Sequence, residues 1–191
     1  MAYTTIDDPS AHFQTVLYTG NGSANHAITN DGNSDLQPDL VWIKNRDAAD
    51  SHCLFDSTRG ATEVLHCDAT TAETTDADTL DSFASDGFQV DADVKVNTNT
   101  EAYVAWQWKA NGGSTTNVDG TGTAADTTKA GTYQANTTAG FSIVTFSTGA
   151  DDFGDHRIQH GLGAVPHFII TKERDGTYFW YTYHHKGTDD N

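Results

Sequence analysis

The sequence predicts an all-β chain, a β-sandwich or jelly-roll module followed by the start of a second copy, and three observations predict it. Short runs of β-branched and aromatic residues are punctuated by Gly, Asn and Asp along the 191 residues. Tyr103-Val104-Ala105-Trp106-Gln107-Trp108 alternates with period two, placing Val104, Trp106 and Trp108 on one face and Tyr103, Ala105 and Gln107 on the other. Finally, two blocks recur. Phe13-Gln14-Thr15-Val16-Leu17-Tyr18 returns as Phe141-Ser142-Ile143-Val144-Thr145-Phe146, and the ten residues from Pro38 to Asp47 return as Pro166 to Asp175. Phe13 to Phe141 and Pro38 to Pro166 are the same shift, 128 positions, which marks one module copied in tandem.

Residues 1–12 are polar, carry Asp7-Asp8-Pro9, and read as an N-terminal arm or a lead-in to the first strand. Residues 13–110 form the first module. Within it, residues 13–18 make a strand that runs into the turn Gly20-Asn21-Gly22. Pro38 opens an apolar run, residues 40–43, expected to be a strand covered on both faces. Residues 52–56 are a further short strand, Leu80 and Phe83 could seat one helical turn, and Asp86-Gly87 turns the chain into a strand at Phe88-Gln89-Val90. Residues 111–138 are rich in Gly and Thr with little to bury beyond Val118 and Tyr133, so they read as a linker, or else as a long hairpin. Residues 139–191 restart the strand pattern at 141–146, 168–170 and 178–183. The first copy continues through residues 103–109 and the second ends before that point, so the chain is expected to stop inside a longer natural protein.

Composition narrows the function classes. Ten Lys and Arg stand against 27 Asp and Glu, a formal charge of −17, and such a field repels phosphate backbones, so nucleic acid is not expected as a partner. No stretch is apolar enough for a membrane helix and no signal peptide is evident, which predicts synthesis in a cytoplasm with no membrane partner. Cys53 and Cys67 are expected to be reduced, structural thiols.

Chemical motifs are sparse. No nucleophile elbow, phosphate-binding glycine loop or zinc-ligand spacing occurs, so neither an enzyme nor a cofactor is expected. His156, His160, His167, His184 and His185 crowd the second unit, but strand neighbours such as His184 and His185 should point apart, and no metal is expected there. Asp151, Asp152 and Asp155, and separately Asp76, Asp78, Asp81 and Asp86, form acidic loops of the kind that hold calcium, without the spacing of a calcium hand. Both copies carry a basic strand end, Lys44, Arg46 and Asp47 after Pro38, and Lys172, Arg174 and Asp175 after Pro166. Repetition favours a structural role, with each Arg paired to an acid and each Asp fixing its turn. Most of Trp42, Trp106, Trp108 and Trp180 should be core, while Trp106 or Trp180 on a sheet face would make a sugar-stacking platform.

Thr5-Ile6-Asp7-Asp8-Pro9-Ser10, residues 13–22, residues 37–46, Phe55-Asp56-Ser57-Thr58-Arg59-Gly60-Ala61-Thr62, Ser85-Asp86-Gly87-Phe88 and Tyr103-Val104-Ala105-Trp106 together resemble a family of proteins from marine tailed bacteriophages. The second unit is similar through Gly140-Phe141-Ser142-Ile143-Val144, His160-Gly161-Leu162-Gly163 and Val165-Pro166. Members carry tandem β modules, some laminin-G-like. The resemblance implies a non-enzymatic virion structural protein, a tail fibre or appendage subunit attached to the particle through residues 1–12. It would be a homo-oligomer, trimeric as phage fibres commonly are, partnered by other virion proteins and assembled in the host cytoplasm. The alternatives are a carbohydrate-binding module for host surface glycan and a capsid decoration protein.

Overall fold

A computed structural model describes residues 6–123, 126–148 and 155–187. The first unit holds nine strands: β1 (Phe13–Thr19), β2 (His26–Thr29), β3 (Leu40–Asn45), β4 (Cys53–Asp56), β5 (Gly60–His66), β6 (Thr74–Thr75), β7 (Leu80–Ala84), β8 (Gly87–Val90) and β9 (Ala102–Trp108). Six of them form an antiparallel sheet in the order β1-β9-β3-β4-β5-β6, and β2-β8-β7 form a second sheet. Val16, Val41, Ile43, Cys53, Phe55, Val64, Tyr103 and Ala105 from the first sheet meet Ile28, Leu80, Phe88 and Val90 from the second in one apolar cluster. The all-β sandwich is therefore as expected, and removing these side chains from water is its main driving force, about 1.5–3 kcal/mol for each large one.

Alternation along β9 is as the sequence predicts, and the structure decides which face is inside. Tyr103, Ala105 and Gln107 are fully buried, whereas Trp106 and Trp108 lie half-buried on the outer face. None of the four tryptophans belongs to the core, contrary to expectation. Tyr103 wins the interior because its hydroxyl is satisfied there: it donates to Val94 O (2.7 Å) and accepts from the Thr98 amide (2.8 Å). Likewise the Gln107 amide donates to Asn30 Oδ1 at 2.6 Å. A single helical turn, α1 (Val94–Asn97), caps the sandwich with Asp93 at its N-cap, and Tyr18 donates to its Val96 carbonyl at 2.7 Å.

Leu80 and Phe83, which could seat one short helical turn at most, lie in strand β7. A register shift between Leu80 and Ser82 breaks the alternation that would have revealed it. Gly87 is required where the sequence places it, since its φ is 111° and a Cβ there would lie 2.0 Å from Ile28 O. The arm reading also changes. Residues 1–5 lie outside the described residues, but Pro9–Ala11 form a 3-10 turn whose Asp8 cap accepts from Ser34 Oγ at 2.7 Å, and Gln14 Nε2 donates to Ser10 O and Ser34 O. This segment is strapped to the sandwich.

Residues 111–138 are not featureless. They contribute β10 (Thr116–Val118), β11 (Thr121–Thr123), β12 (Asp126–Thr128) and β13 (Gly131–Asn136). In the second unit, β13 pairs with β14 (Phe141–Phe146) and β12 with β15 (Asp155–Arg157), while β16 (Phe168–Thr171) and β17 (Tyr181–His184) form a separate hairpin. Sequence repetition becomes structural repetition here. The β3–β4 pairs Leu40–Asp56, Val41–Phe55, Trp42–Leu54 and Ile43–Cys53, each shifted by 128, are the β16–β17 pairs Phe168–His184, Ile169–Tyr183, Ile170–Thr182 and Thr171–Tyr181. The same shift carries β1 onto β14 at its first residue.

Candidate functional site

The repeated lysine is the clearest case of one device used twice. Lys44 Nζ donates to Asn45 O (2.5 Å) and Ala48 O (2.8 Å), and Lys172 Nζ donates to Glu173 O (2.6 Å) and Gly176 O (2.9 Å). Each ammonium closes the turn that follows its strand by bridging two carbonyls. The other repeated positions diverge. Arg174 pairs with Glu73 of the first unit, but Arg46 is exposed and has no ion pair among the described residues, so the expected Arg–acid pairing holds in one copy only. Asp47 accepts from the Ala102 amide at 2.6 Å instead of fixing its own turn, a task that falls to Asn45 Oδ1 through the amides of Asp47 and Ala48. Asp175 is exposed. Pro38 and Pro166 stand two residues before β3 and β16, ahead of the strands and not at their first positions.

Two polar assemblies join the units. The first centres on Asp39, a fully buried carboxylate. Its Oδ1 accepts from Ser57 Oγ (2.7 Å) and the Gly113 amide (2.6 Å), and its Oδ2 from the amides of Ala110 (2.7 Å) and Gly112 (2.8 Å). Gln134 of β13 completes the knot, donating to Ser57 Oγ (2.9 Å) and Thr58 Oγ1 (2.7 Å) and accepting from the Gly113 amide (3.0 Å). The stretch read as a linker is thus fastened at both ends to the first sandwich.

The second assembly is a charge chain, Asp56–Arg59–Glu73–Arg174. The Arg59 side chain is only 3% exposed, and its guanidinium donates to Asp56 Oδ2 and Glu73 Oε2, each at 2.5 Å, and to the carbonyls of Glu63 and Leu54. Arg174 reaches Glu73 from the second unit, whose Trp180 indole N–H donates to His66 O and Ala69 O, both at 3.1 Å. Burial alone would raise the Glu73 carboxyl, but hydrogen bonds from Arg174 and Arg59 outweigh it and hold it below its ordinary value of 4.5. A depressed carboxyl stabilises the contact above that value and loses its contribution as pH falls through the folded-state value. The hairpin should therefore loosen from the first unit in acid, seen as faster exchange of the Trp180 indole proton below pH 4.5. Glu73→Gln should loosen it already at pH 7 and flatten this pH dependence. An exchange rate indifferent to both changes would contradict the assignment.

Trp106 remains a candidate platform. On the outer face, β-pairing aligns Thr15, Trp106, Trp42, Leu54 and Leu65 in one row, with the Trp42 and Trp106 rings 5.5 Å apart and tilted by 60°. Farther along, Phe13, Trp108 and Phe141 make a ladder at 4.9 and 6.2 Å that crosses from one unit to the next. Trp180 does not join this row, because its polar edge is committed to the unit junction.

His184 and His185 do not point apart as expected. β17 ends at His184, His185 opens the following turn, and their rings lie 5.0 Å apart, with the His167 ring 4.1 Å from His185 and tilted by 30°. Among the described residues no group of three His, Cys, Asp or Glu side chains has metal-holding geometry. Asp151 and Asp152 lie outside the described residues. Asp81, read as part of the other acidic loop, lies in β7, where burial and the charges of Asp91 and Asp78 push its carboxyl up. Cys53 and Cys67 are unpaired, and burial pushes both thiols up to about 12.

Residues 8–191 match a family described as a domain of unknown function, DUF7483. The chain belongs to the DUF7483 family. One DUF7483 match runs across the sandwich, the strands at 116–136 and the second hairpin, so the junction lies inside the family's unit. No curated protein and no solved structure matches the chain.

Sequence reasoning missed the junction apart from the expected pairing of Arg174 with an acid. Asp39 carried a weak signal, an acid beside a strand-opening proline, but its partners are backbone amides with no side-chain signature.

Proposed function

We propose that this DUF7483 chain is a non-enzymatic structural subunit of a bacteriophage virion, a tail fibre or appendage attached to the particle by its N-terminal part and assembled as a homo-oligomer, with a trimer the expected number. The observation that carries the reading is the hairpin repeated in identical register and joined to the first sandwich by the Arg174–Glu73 ion pair and by the Trp180 indole on two main-chain carbonyls. Such a joint suits a rigid element that transmits position along a projecting chain. The resemblance to marine phage proteins supplies the virion context, and fold by itself would not. Quantitative mass spectrometry of purified particles, with antibody labelling in negative stain, tests it. Tens of copies at an appendage are expected; hundreds would mean a capsid decoration protein, and absence from particles would end the proposal.

The Trp42–Trp106 row favours a second role on the same subunit, binding host surface glycan. Half-buried indoles on an open sheet face offer flat apolar surface to a sugar ring. On a glycan array, a signal abolished by Trp106→Ala and kept by Trp180→Phe supports this role, and an empty array removes it.

A further inference from the structure

Beside the Trp42–Trp106 row stands a histidine whose ring is bonded to the platform itself. His52 is the residue before β4, and alternation puts its side chain on the face of Leu54, which is the partner of Trp42 across the β3–β4 ladder. The Trp42 indole Nε1 donates to His52 Nδ1 at 3.0 Å, and the two rings lie 5.8 Å apart with a tilt of 60°. An indole nitrogen can only donate. His52 Nδ1 must therefore offer its lone pair, and the ring proton sits on Nε2.

Two other histidines of the first unit are wired in the opposite sense. His66 Nδ1 lies 3.3 Å from His52 O, and a carbonyl only accepts, so that nitrogen carries a proton. His26 Nδ1 lies 2.8 Å from Asn97 Oδ1, and the Asn97 amide group donates to Asn21 Oδ1, Ser23 O and Asp91 O, which leaves its oxygen to the histidine. Both contacts survive when the ring takes a second proton. The Trp42 contact does not, because a doubly protonated His52 sets one N–H against another. His12 also accepts, from Asn136 Nδ2 at 3.1 Å, at a separate contact with β13.

The groups around His52 are few. Lys44 of β3 keeps its ammonium on the carbonyls of Asn45 and Ala48, and Asp50 of the same loop as His52 is turned to Asn45 Nδ2 at 2.8 Å. From the β5 side come His66, Asp68, whose Oδ1 accepts from the His52 amide at 3.1 Å, and Cys67, a neutral thiol whose amide donates to His52 O at 3.3 Å. Burial holds the His52 ring below its ordinary value of 6.5; Asp68 opposes this and Lys44 adds to it. The contact is complete above 6.5 and is lost as pH falls through the lower folded-state value.

We propose that His52 is a proton-operated latch on the platform: when neutral it pins Trp42 beside Trp106, and in acid it releases the ring. The latch stands on the Trp42–His52 geometry, while its effect on sugar binding rests on the glycan reading above. Stacking onto a sugar needs the indole held in one orientation, so the platform keeps its ligand near neutral pH and loosens it in mild acid.

Isotope-labelled tryptophan in the full chain makes the latch visible, with Trp42→Phe assigning the resonance. The Trp42 indole proton should move through one transition with its midpoint below 6.5. His52→Asn places Oδ1 where Nδ1 stood and accepts at every pH, so its resonance should stay at the neutral position. His52→Phe keeps a ring against Trp42 without an acceptor and should show the acid position already at pH 7.5. A parent resonance that does not move down to pH 4, or a transition that persists in His52→Asn, would overturn the proposal. Where the glycan array yields a ligand, its affinity should fall about fivefold across the transition in the parent, the worth of one ordinary hydrogen bond, and hold in His52→Asn. An equal fall in both would overturn the effect on the platform. An empty array removes the glycan reading and leaves the indole titration to decide the latch.

Discussion

Asp39→Ala should lower the stability of the chain by about 4 kcal/mol, since it takes one acceptor from the buried Ala110 amide, the part-buried amides of Gly112 and Gly113 and the Ser57 hydroxyl, and each group left without a partner costs about 1–3 kcal/mol. The amides of Ala110, Gly112 and Gly113 have no alternative partner except Gln134 for the last. For a chain of this size the thermal midpoint should fall by roughly 8–15 °C. Asp39→Asn keeps one carbonyl oxygen and should recover about half of the loss, because its amide group donates where the carboxylate accepted. Calorimetry of the two variants checks the order. A midpoint within a degree of the parent for Asp39→Ala would mean that the knot holds nothing. Because the knot also secures β13 through Gln134, hydrogen exchange across residues 131–136 should rise in the same variant.

Arg59→Met should be the next most costly change, about 3 kcal/mol, because it strands two nearly buried carboxylates, Asp56 and Glu73. Methionine replaces the aliphatic stem, so lost packing is a small part of the effect. Arg174 continues to neutralise Glu73 from one side, though as a 43% exposed group it offsets about 1 kcal/mol at most. Urea titrations at pH 7 and pH 3 separate the causes: the deficit should shrink as falling pH discharges the Glu73 carboxylate. A deficit equal at the two pH values would point to packing. Asp56→Asn combined with Arg59→Met should be less destabilised than the sum of the single changes.

How much of this was legible beforehand varies by element. The strands β1, β3, β4, β8 and β9 stand out because their apolar side chains recur at strand spacing between turn residues, and the tandem shift located β14 and β16 directly. β10 to β13 did not, because Thr, Gly and Asn dominate them; their ladders and the Asp39 knot stabilise them, and backbone amides leave no trace in a sequence. β7 hid behind a bulge. For β9 the alternation named two faces without saying which was interior, and the decision came from the partners of Tyr103 and Gln107. At the candidate site, Trp106 was found through its place in that alternation, whereas the commitment of Trp180 to two main-chain carbonyls depends on a contact more than a hundred positions away in the chain.

All four indoles sit outside the closed interior, and this governs what light reports about the molecule. Tryptophan emission will shift only slightly when the sandwich melts, because water already reaches these rings in the native state. Trp180, and Trp108 through its stack on Phe141, lie at the joint, so their signal should follow hinge-like separation of the two halves while circular dichroism still records intact strands. A spectroscopist who equated fluorescence with unfolding would be timing the opening of a seam.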